Sequence, residues 1–101
     1  MKQTFIEKTK QAVQNWATQY PNVKLAMIEV YPSSVPNIFH VIAVASKGFE
    51  NWEQTERENN LYRFLRKELG DADIVKITVL LTLNEEQYEK YEMAHDETGI
   101  Y

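Results

Sequence analysis

The chain has 101 residues, no cysteine, three glycines and a formal net charge of −4. A length near 100 residues is typical of one domain with its own hydrophobic core, and the 44% apolar and 26% charged residues exclude a disordered chain. The lack of cysteine excludes a disulfide framework, a thiolate nucleophile and a zinc site built on cysteine.

The first predicted helix covers residues 4–19. Thr4 and Glu7 have the spacing of a capping box, in which each side chain accepts a hydrogen bond from the backbone N–H of the other residue. Apolar residues then recur at helical spacing as far as Tyr20. Pro21 ends the helix, because the residue before a proline avoids helical dihedral angles.

Two strands are predicted next, over 23–31 and 38–46. The segment between them contains Pro32 and Pro36, which cannot donate hydrogen bonds to a sheet. Because this connection is short, the two strands are predicted to form an antiparallel hairpin. Both strands carry apolar residues at successive positions, which is typical of strands covered on both faces.

The second half of the chain supplies two more helices and one strand. A helix over 52–69 begins near Asn51 and ends before Gly70, which suits a left-handed cap. A strand over 73–83 alternates between two faces. Asn84 with Gln87 then opens a helix over 85–95. Residues 1–95 are therefore predicted to form one α+β domain, with 96–101 as a flexible C-terminal tail.

The predicted element order is α-β-β-α-β-α. The simplest architecture is a three-stranded sheet with the first two helices on one face and a short C-terminal helix. The path from the second strand through the second helix to the third strand resembles a parallel crossover. The order of the first five elements resembles that of KH-type RNA-binding domains and BolA-like domains, although the Gly-x-x-Gly loop of KH domains is missing.

Strand alternation divides the predicted sheet into two faces. The face under the first two helices is predicted to carry Ala26, Ile28, Val30, Phe39, Val41, Ala43, Ala45, Val75, Ile77, Val79 and Leu81. The second face is predicted to carry Leu25, Met27, Glu29, Tyr31, Ile38, His40, Ile42, Val44, Lys76, Thr78, Leu80 and Thr82. A shift of one residue in the register of any strand exchanges its two faces.

The second face is too apolar to remain open to water. It carries about eight apolar side chains, more than a monomer usually leaves exposed in one patch. Either the C-terminal helix folds back over it or a second copy of the chain packs against it. Since that helix is short, we expect a homodimer whose interface includes Leu25, Met27, Ile42, Val44, Leu80 and Tyr91.

A pocket between the sheet and the C-terminal helix is the alternative to a dimer. Glu29 and His40 can lie opposite or diagonal in the hairpin, and a histidine beside a carboxylate can act as a general base. With Tyr31 and Tyr88 they would line the site of a small-molecule-binding protein or small enzyme. A satisfied cross-strand pair without catalysis is the simpler interpretation, because no nucleophile motif or phosphate-binding loop accompanies them.

The predicted helix over 52–69 also carries basic residues. Arg57, Arg63 and Lys67 could form a strip that binds nucleic acid weakly, but interleaved glutamates favour ordinary ion pairing along the helix. His95 lacks the spacing of a metal site with its acidic neighbours. Neither a metal nor another cofactor is predicted.

The negative charge is concentrated at the C-terminal end. Residues 85–101 hold six acidic side chains and one lysine, net −5, so residues 1–84 are net +1. An acidic segment attracts a basic partner and repels nucleic acid. With no signal-peptide core and no apolar run near about 20 residues, the sequence predicts a soluble cytoplasmic interaction module that forms a homodimer, while enzymatic activity stays open.

Overall fold

The computed structural model describes residues 3–98, with side chains described as far as Met93. The elements are α1 (Phe5–Thr18), β1 (Lys24–Pro32), β2 (Phe39–Lys47), α2 (Gln54–Leu69), α3 (Asp71–Ile74), β3 (Ile77–Asn84) and α4 (Glu85–Thr98). The predicted single α+β domain with a three-stranded sheet is confirmed. The structure adds α3, one helical turn where the sequence predicted the start of the third strand.

The sheet has the order β1-β2-β3. β1 and β2 are antiparallel, which confirms the predicted hairpin, and β2 and β3 are parallel. The crossover between the parallel strands contains α2 and α3. Both β1 and β3 are therefore edge strands, while the central strand β2 is buried over most of its length.

The main core lies between the sheet and helices α1 and α2. Val41, Ala43 and Ala45 of β2 face Trp16 and Leu61 of the two helices, and all five side chains are buried. The small alanine side chains allow the helices to approach the sheet closely. This cluster confirms the helix-side face that the sequence predicted for β2.

A bulge in β1 exchanges the predicted faces at its start. Leu25 pairs with Ala45 and Met27 pairs with Val44, so Ala26 is an extra residue without a partner on β2. As a result Leu25 packs in the helix-side core and Ala26 is exposed. The sequence-based face assignments of both residues are wrong for this reason.

A second irregularity, in the pairing of β3 with β2, also exchanges predicted faces. Ile77 pairs with Phe39 and Val79 pairs with His40, so Thr78 has no partner on β2. Beyond it, Leu80 packs in the helix-side core and Thr82 is buried, although both were predicted on the second face. Val79 and Leu81 were predicted on the helix-side face but lie on the second face. Val79 pairs with His40, and Leu81 packs against a cluster of buried apolar residues there.

The second face is covered by α4 of the same chain. Ile42, Val44 and Leu83 form a buried cluster there, against which Tyr88 and Tyr91 of α4 pack. Ile42 is only 1% exposed and Val44 only 2%. The premise of the predicted homodimer, an open second face, is therefore wrong; Met27, Ile42, Val44 and Tyr91 pack within one subunit, and Leu25 and Leu80 lie under the other helices.

The C-terminal helix is longer than the sequence indicated. It runs to Thr98 instead of ending near residue 95, so the first residues of the predicted tail are helical. The last three residues of that tail, 99–101, lie outside the described residues. Within residues 3–98, no helix has the length and apolar content needed to cross a lipid bilayer.

Candidate functional site: the groove between β1 and α4

α4 begins directly at the end of β3, without a loop. Its first turn is fixed by reciprocal hydrogen bonds: the Asn84 N–H donates to Gln87 Oε1 at 2.9 Å and the Gln87 N–H donates to Asn84 Oδ1 at 2.7 Å. This capping box was predicted from the spacing of the two residues. Because it reverses the chain at the end of β3, α4 lies back across the second face of the sheet.

Polar side chains join α4 to the sheet. The Tyr88 hydroxyl donates to Glu29 Oε1 at 2.9 Å, and the hydroxyl oxygens of Tyr31 and Tyr91 are 3.4 Å apart. Tyr31 also contacts His40 edge to face, with ring centroids 5.3 Å apart. The structure therefore brings the predicted residues Glu29, Tyr31, His40 and Tyr88 to one side of the sheet.

Glu29 and His40 lie diagonally across the hairpin, which is one of the two arrangements predicted, but Glu29 hydrogen-bonds to α4. The strand register places Glu29 opposite Ile42 and His40 opposite Tyr31, and the hydrogen-bond partner of Glu29 comes from α4. The arrangement is a polar layer that attaches α4 to the sheet.

Burial changes the acidity of two of these tyrosines. Burial, the contact with Tyr91 and the charge of Glu29 raise the pKa of Tyr31 to about 12. Burial, the hydrogen bond to Glu29 and the charges of Glu29 and Glu92 also raise the pKa of Tyr88. Both hydroxyls therefore remain protonated in the folded protein at pH values where they ionise in the unfolded chain.

We expect the attachment of α4 to weaken at alkaline pH. Since the folded-state pKa of each tyrosine lies above its unfolded value of about 10, the folded state holds protons that the unfolded state releases, and stability falls as pH rises from about 10 to about 12. Urea unfolding measured between about pH 8 and about pH 11 should show a smaller loss for Tyr31→Phe and Tyr88→Phe than for wild type. Since lysines also titrate in this range, the comparison with wild type is decisive, and equal slopes would contradict the prediction.

A groove of about 450 Å³ lies between β1 and α4. Its floor is formed by Met27 and Val44 with the exposed Ala26 at the margin. Its wall is the side of α4 that carries Glu85, Tyr88, Glu89 and Glu92. His40 does not line it, and the described side chains of the groove offer an apolar floor and carboxylates.

The carboxylates of the groove have no cationic partner among the described side chains. The ion pairs found in residues 3–93 join Lys8 and Lys76 to Asp73, Arg66 to Asp71, and Lys90 to Glu86. None of them engages a glutamate of the groove wall. As far as side chains are described, to Met93, the wall therefore presents negative charge without a cationic partner beside an apolar surface.

Sequence reasoning missed the wall of this groove. Glu85, Glu89 and Glu92 recur at positions i, i+4 and i+7, so they lie on one face of a helix, and that spacing is visible in the sequence. The floor was not visible, because the bulge at Ala26 determines which side chains of β1 face α4. A stripe of glutamates became a candidate site only when the structure placed it beside Met27.

The predicted nucleic-acid strip on α2 is not formed. Arg57 is 3% exposed, and its guanidinium donates to the backbone carbonyls of Phe49, Trp52 and Thr82. Arg63 and Lys67 remain exposed on the same helix. A buried guanidinium cannot reach a phosphate, so Arg57 belongs to the core and not to a binding surface.

Among the described residues, no group of three or more histidine, aspartate or glutamate side chains lies close enough to hold a metal ion. His95, which was weighed as a ligand, lies outside the described side chains.

Comparison of the chain with protein-family models, curated proteins and solved structures finds no match. No residue role is therefore carried over from another protein. The groove and the charges around it are the basis of the functional proposal.

Proposed function

We propose that this protein is a non-enzymatic interaction module that binds a basic segment of a protein partner in the groove between β1 and α4. The observation that supports this function is the wall of Glu85, Glu89 and Glu92, which has no cationic partner among the side chains of residues 3–93 and lies beside an apolar floor. The proposal keeps the cytoplasmic location predicted from the sequence, where the module would meet its partner.

Lysine and arginine suit both surfaces of this groove. Their long aliphatic stems can cover Met27 and Val44, while the charged end reaches the carboxylates above. A charge-assisted hydrogen bond to a carboxylate is about twice as strong as one between neutral groups. An apolar side chain would suit only the floor, and an aspartate would be repelled by the carboxylates of the wall.

A homodimer formed at this groove is the second candidate. Lys24 and Lys47 lie directly opposite each other at one end of the hairpin, are exposed, and take part in none of the ion pairs of residues 3–93. Like charges in this position destabilise a sheet slightly. In a second copy of the chain they would supply the cations that the groove lacks, and sedimentation at micromolar concentration would reveal the dimer.

The first test is charge reversal in the groove wall. As probe we choose a fluorescent peptide of about ten residues in which lysine and threonine alternate, with affinity measured by fluorescence anisotropy. Glu89→Lys is expected to weaken binding about tenfold, because it removes an attraction and adds a repulsion. Glu89 is exposed, so the folded state should be retained.

Glu86→Lys is the matched control. This substitution makes the same change of charge on the same helix, but Glu86 does not line the groove. It should alter the affinity by less than about twofold, since exposed charges farther away are screened by salt. If both variants weaken binding equally, the peptide senses only the net charge of the protein and the groove is not its site.

A further inference from the structure

The two edges of the sheet differ in how their backbone is protected. On β3, the Thr82 N–H donates to Glu58 Oε2 of α2 at 2.8 Å, and the Asn84 N–H is capped by Gln87. These side chains occupy the donors that another strand would need. Exposed strand edges template pairing with other chains, so capping closes this half of β3 to such pairing.

The edge of β1 is not capped in this way. The Ser33 N–H donates to Ile38 O at 2.8 Å, in the same register in which Tyr31 pairs with His40. Ser33, Tyr31 and Glu29 therefore direct their backbone groups toward β2. Hydrogen bonds alternate in direction along an antiparallel strand, so the backbone groups of Ile28 point away from β2. Among the described residues, no side chain donates to or accepts from the backbone of Ile28.

Grooves flank this edge on both faces of the sheet. The acidic groove lies on the α4 side, and a second groove of about 480 Å³ lies on the α1 side. Ala26 and Met27 line both. The α1-side groove is walled by Gln3, Gln11 and Gln14 together with the opposite charges of Glu7 and Lys10, so it carries no excess charge.

From these observations, and resting on the proposed function, we infer that the partner segment binds as a short extended strand added to the outer edge of β1. Successive side chains of a strand point to opposite faces, so they would enter the two grooves in turn. The side chains on the α4 side meet carboxylates, and those on the α1 side meet neutral polar groups. The preferred partner segment therefore carries lysine or arginine at every second position, with uncharged polar residues between them.

The bulge at Ala26 sets the length of the added strand. A bulge interrupts regular pairing on its own strand, and it is one of the devices that limit association at sheet edges. Regular backbone pairing is therefore available only beyond the bulge, from Met27 onward. The accessible part of the edge ends near Val30, because that residue is only 6% exposed. The backbone of β1 can therefore pair with only a short segment of the partner, and the charges of that segment determine which partner binds.

The experiment compares two peptides of identical composition. One alternates lysine and threonine, and the other places its lysines at the three- and four-residue spacing of a helix face. We expect the alternating peptide to bind about tenfold more tightly, and to slow hydrogen exchange of the Ile28 amide by about tenfold or more on the intact chain. N-methylation of the alternating peptide's backbone should abolish that slowing without changing its charge.

The outcomes separate the mode of binding from the proposed function. Equal affinities for the two peptides, with unchanged exchange at Ile28, would overturn strand addition while leaving the groove as the site if Glu89→Lys still weakens binding. If neither peptide binds, or if Glu89→Lys has no effect, the proposed function itself fails. Exchange at Ile28 that slows with protein concentration alone, together with a sedimenting dimer, would make a second copy the occupant and would also overturn the inference.

Discussion

Replacing Arg57 by methionine is expected to lower the free energy of unfolding by about 3–5 kcal/mol. The guanidinium connects α2 to the loop before it, to β3 and to α4. It donates to Phe49 O at 3.1 Å, to Trp52 O at 2.5 Å and to Thr82 O at 2.7 Å, and its third nitrogen donates to Thr82 Oγ1 at 3.1 Å. Gln87 Oε1 of α4 lies 3.5 Å from the same group.

Methionine fills a similar volume but donates no hydrogen bond. The carbonyls of Trp52 and Thr82 would then lose their donor, whereas Phe49 O keeps the Trp52 N–H at 3.2 Å. A buried acceptor left unpaired costs about 1–3 kcal/mol. The arginine also lies over the Phe49 ring, 4.4 Å from its centre, and this contact is lost as well. Burial lowers the pKa of Arg57, yet a guanidinium remains charged throughout the physiological range.

Urea unfolding followed by circular dichroism measures this effect. Arg63→Met on the same helix is the control, because Arg63 is exposed and its replacement should change stability by less than about 0.5 kcal/mol. Arg57→Lys should recover only part of the loss, since an ammonium group cannot reproduce the planar fork of donors. A loss below about 1 kcal/mol in Arg57→Met would mean that water or a rearranged loop satisfies the carbonyls instead.

The same network connects the core to the proposed groove. Gln87, which approaches Arg57, is also the residue that caps the first turn of α4 through Asn84. The acidic wall therefore begins at a point that is anchored to α2 and to the helix-side core. Because these contacts hold the first turn of α4 in place, Glu85 and Glu89 are positioned before a partner arrives, which reduces the entropy lost on binding.

Sequence reasoning identified the features that depend on near neighbours. The Thr4–Glu7 and Asn84–Gln87 capping boxes form as their spacing predicted, because each closes over only three residues. Pro21 lies just beyond the end of α1, and Gly70 ends α2 with a positive φ. Such signals are local contacts between a side chain and the backbone, so the sequence carries them directly. The start of α2 was predicted too early, near Asn51, because the helix begins at Gln54 without a side-chain cap.

Features that depend on distant contacts were not predictable in the same way. A single extra residue in β1 and another in β3 exchanged the faces of Leu25 and Leu80, since side-chain direction in a strand has a period of two. Arg57 looked like a surface residue, and only the carbonyls of other segments explain its burial. The sequence placed Glu29 and Tyr88 at one pocket but did not predict the hydrogen bond between them, which joins residues 59 positions apart.

Replacing Gly48 by alanine is expected to destabilise the protein by about 3 kcal/mol or more. Gly48 has a φ of 103°, in the region that L-residues with side chains rarely adopt. A Cβ at this position would also lie 2.5 Å from Asn22 O and 2.6 Å from Val23 Cα. Both neighbours are backbone atoms, so relief requires the chain before β1 to move away from the loop after β2.

Gly70→Ala provides the matched control for this prediction. Gly70 also has a positive φ, 93°, but nothing lies within 4 Å of the position of an added Cβ. Its replacement therefore costs only the backbone strain, about 1–3 kcal/mol. The difference between the two variants in urea unfolding isolates the steric contribution, and equal losses would show that the contact with Asn22 is relieved at no cost.

The effect of Gly48→Ala should extend into the Arg57 network. Gly48 is followed by Phe49 and the loop to Trp52, whose carbonyls accept from Arg57. Displacement of this loop would lengthen those hydrogen bonds, so the two substitutions act on shared contacts and their losses should not add. In the double variant we expect a loss smaller than the sum by about 1 kcal/mol or more, whereas strict additivity would show that the loop moves at Gly48 without disturbing the buried guanidinium.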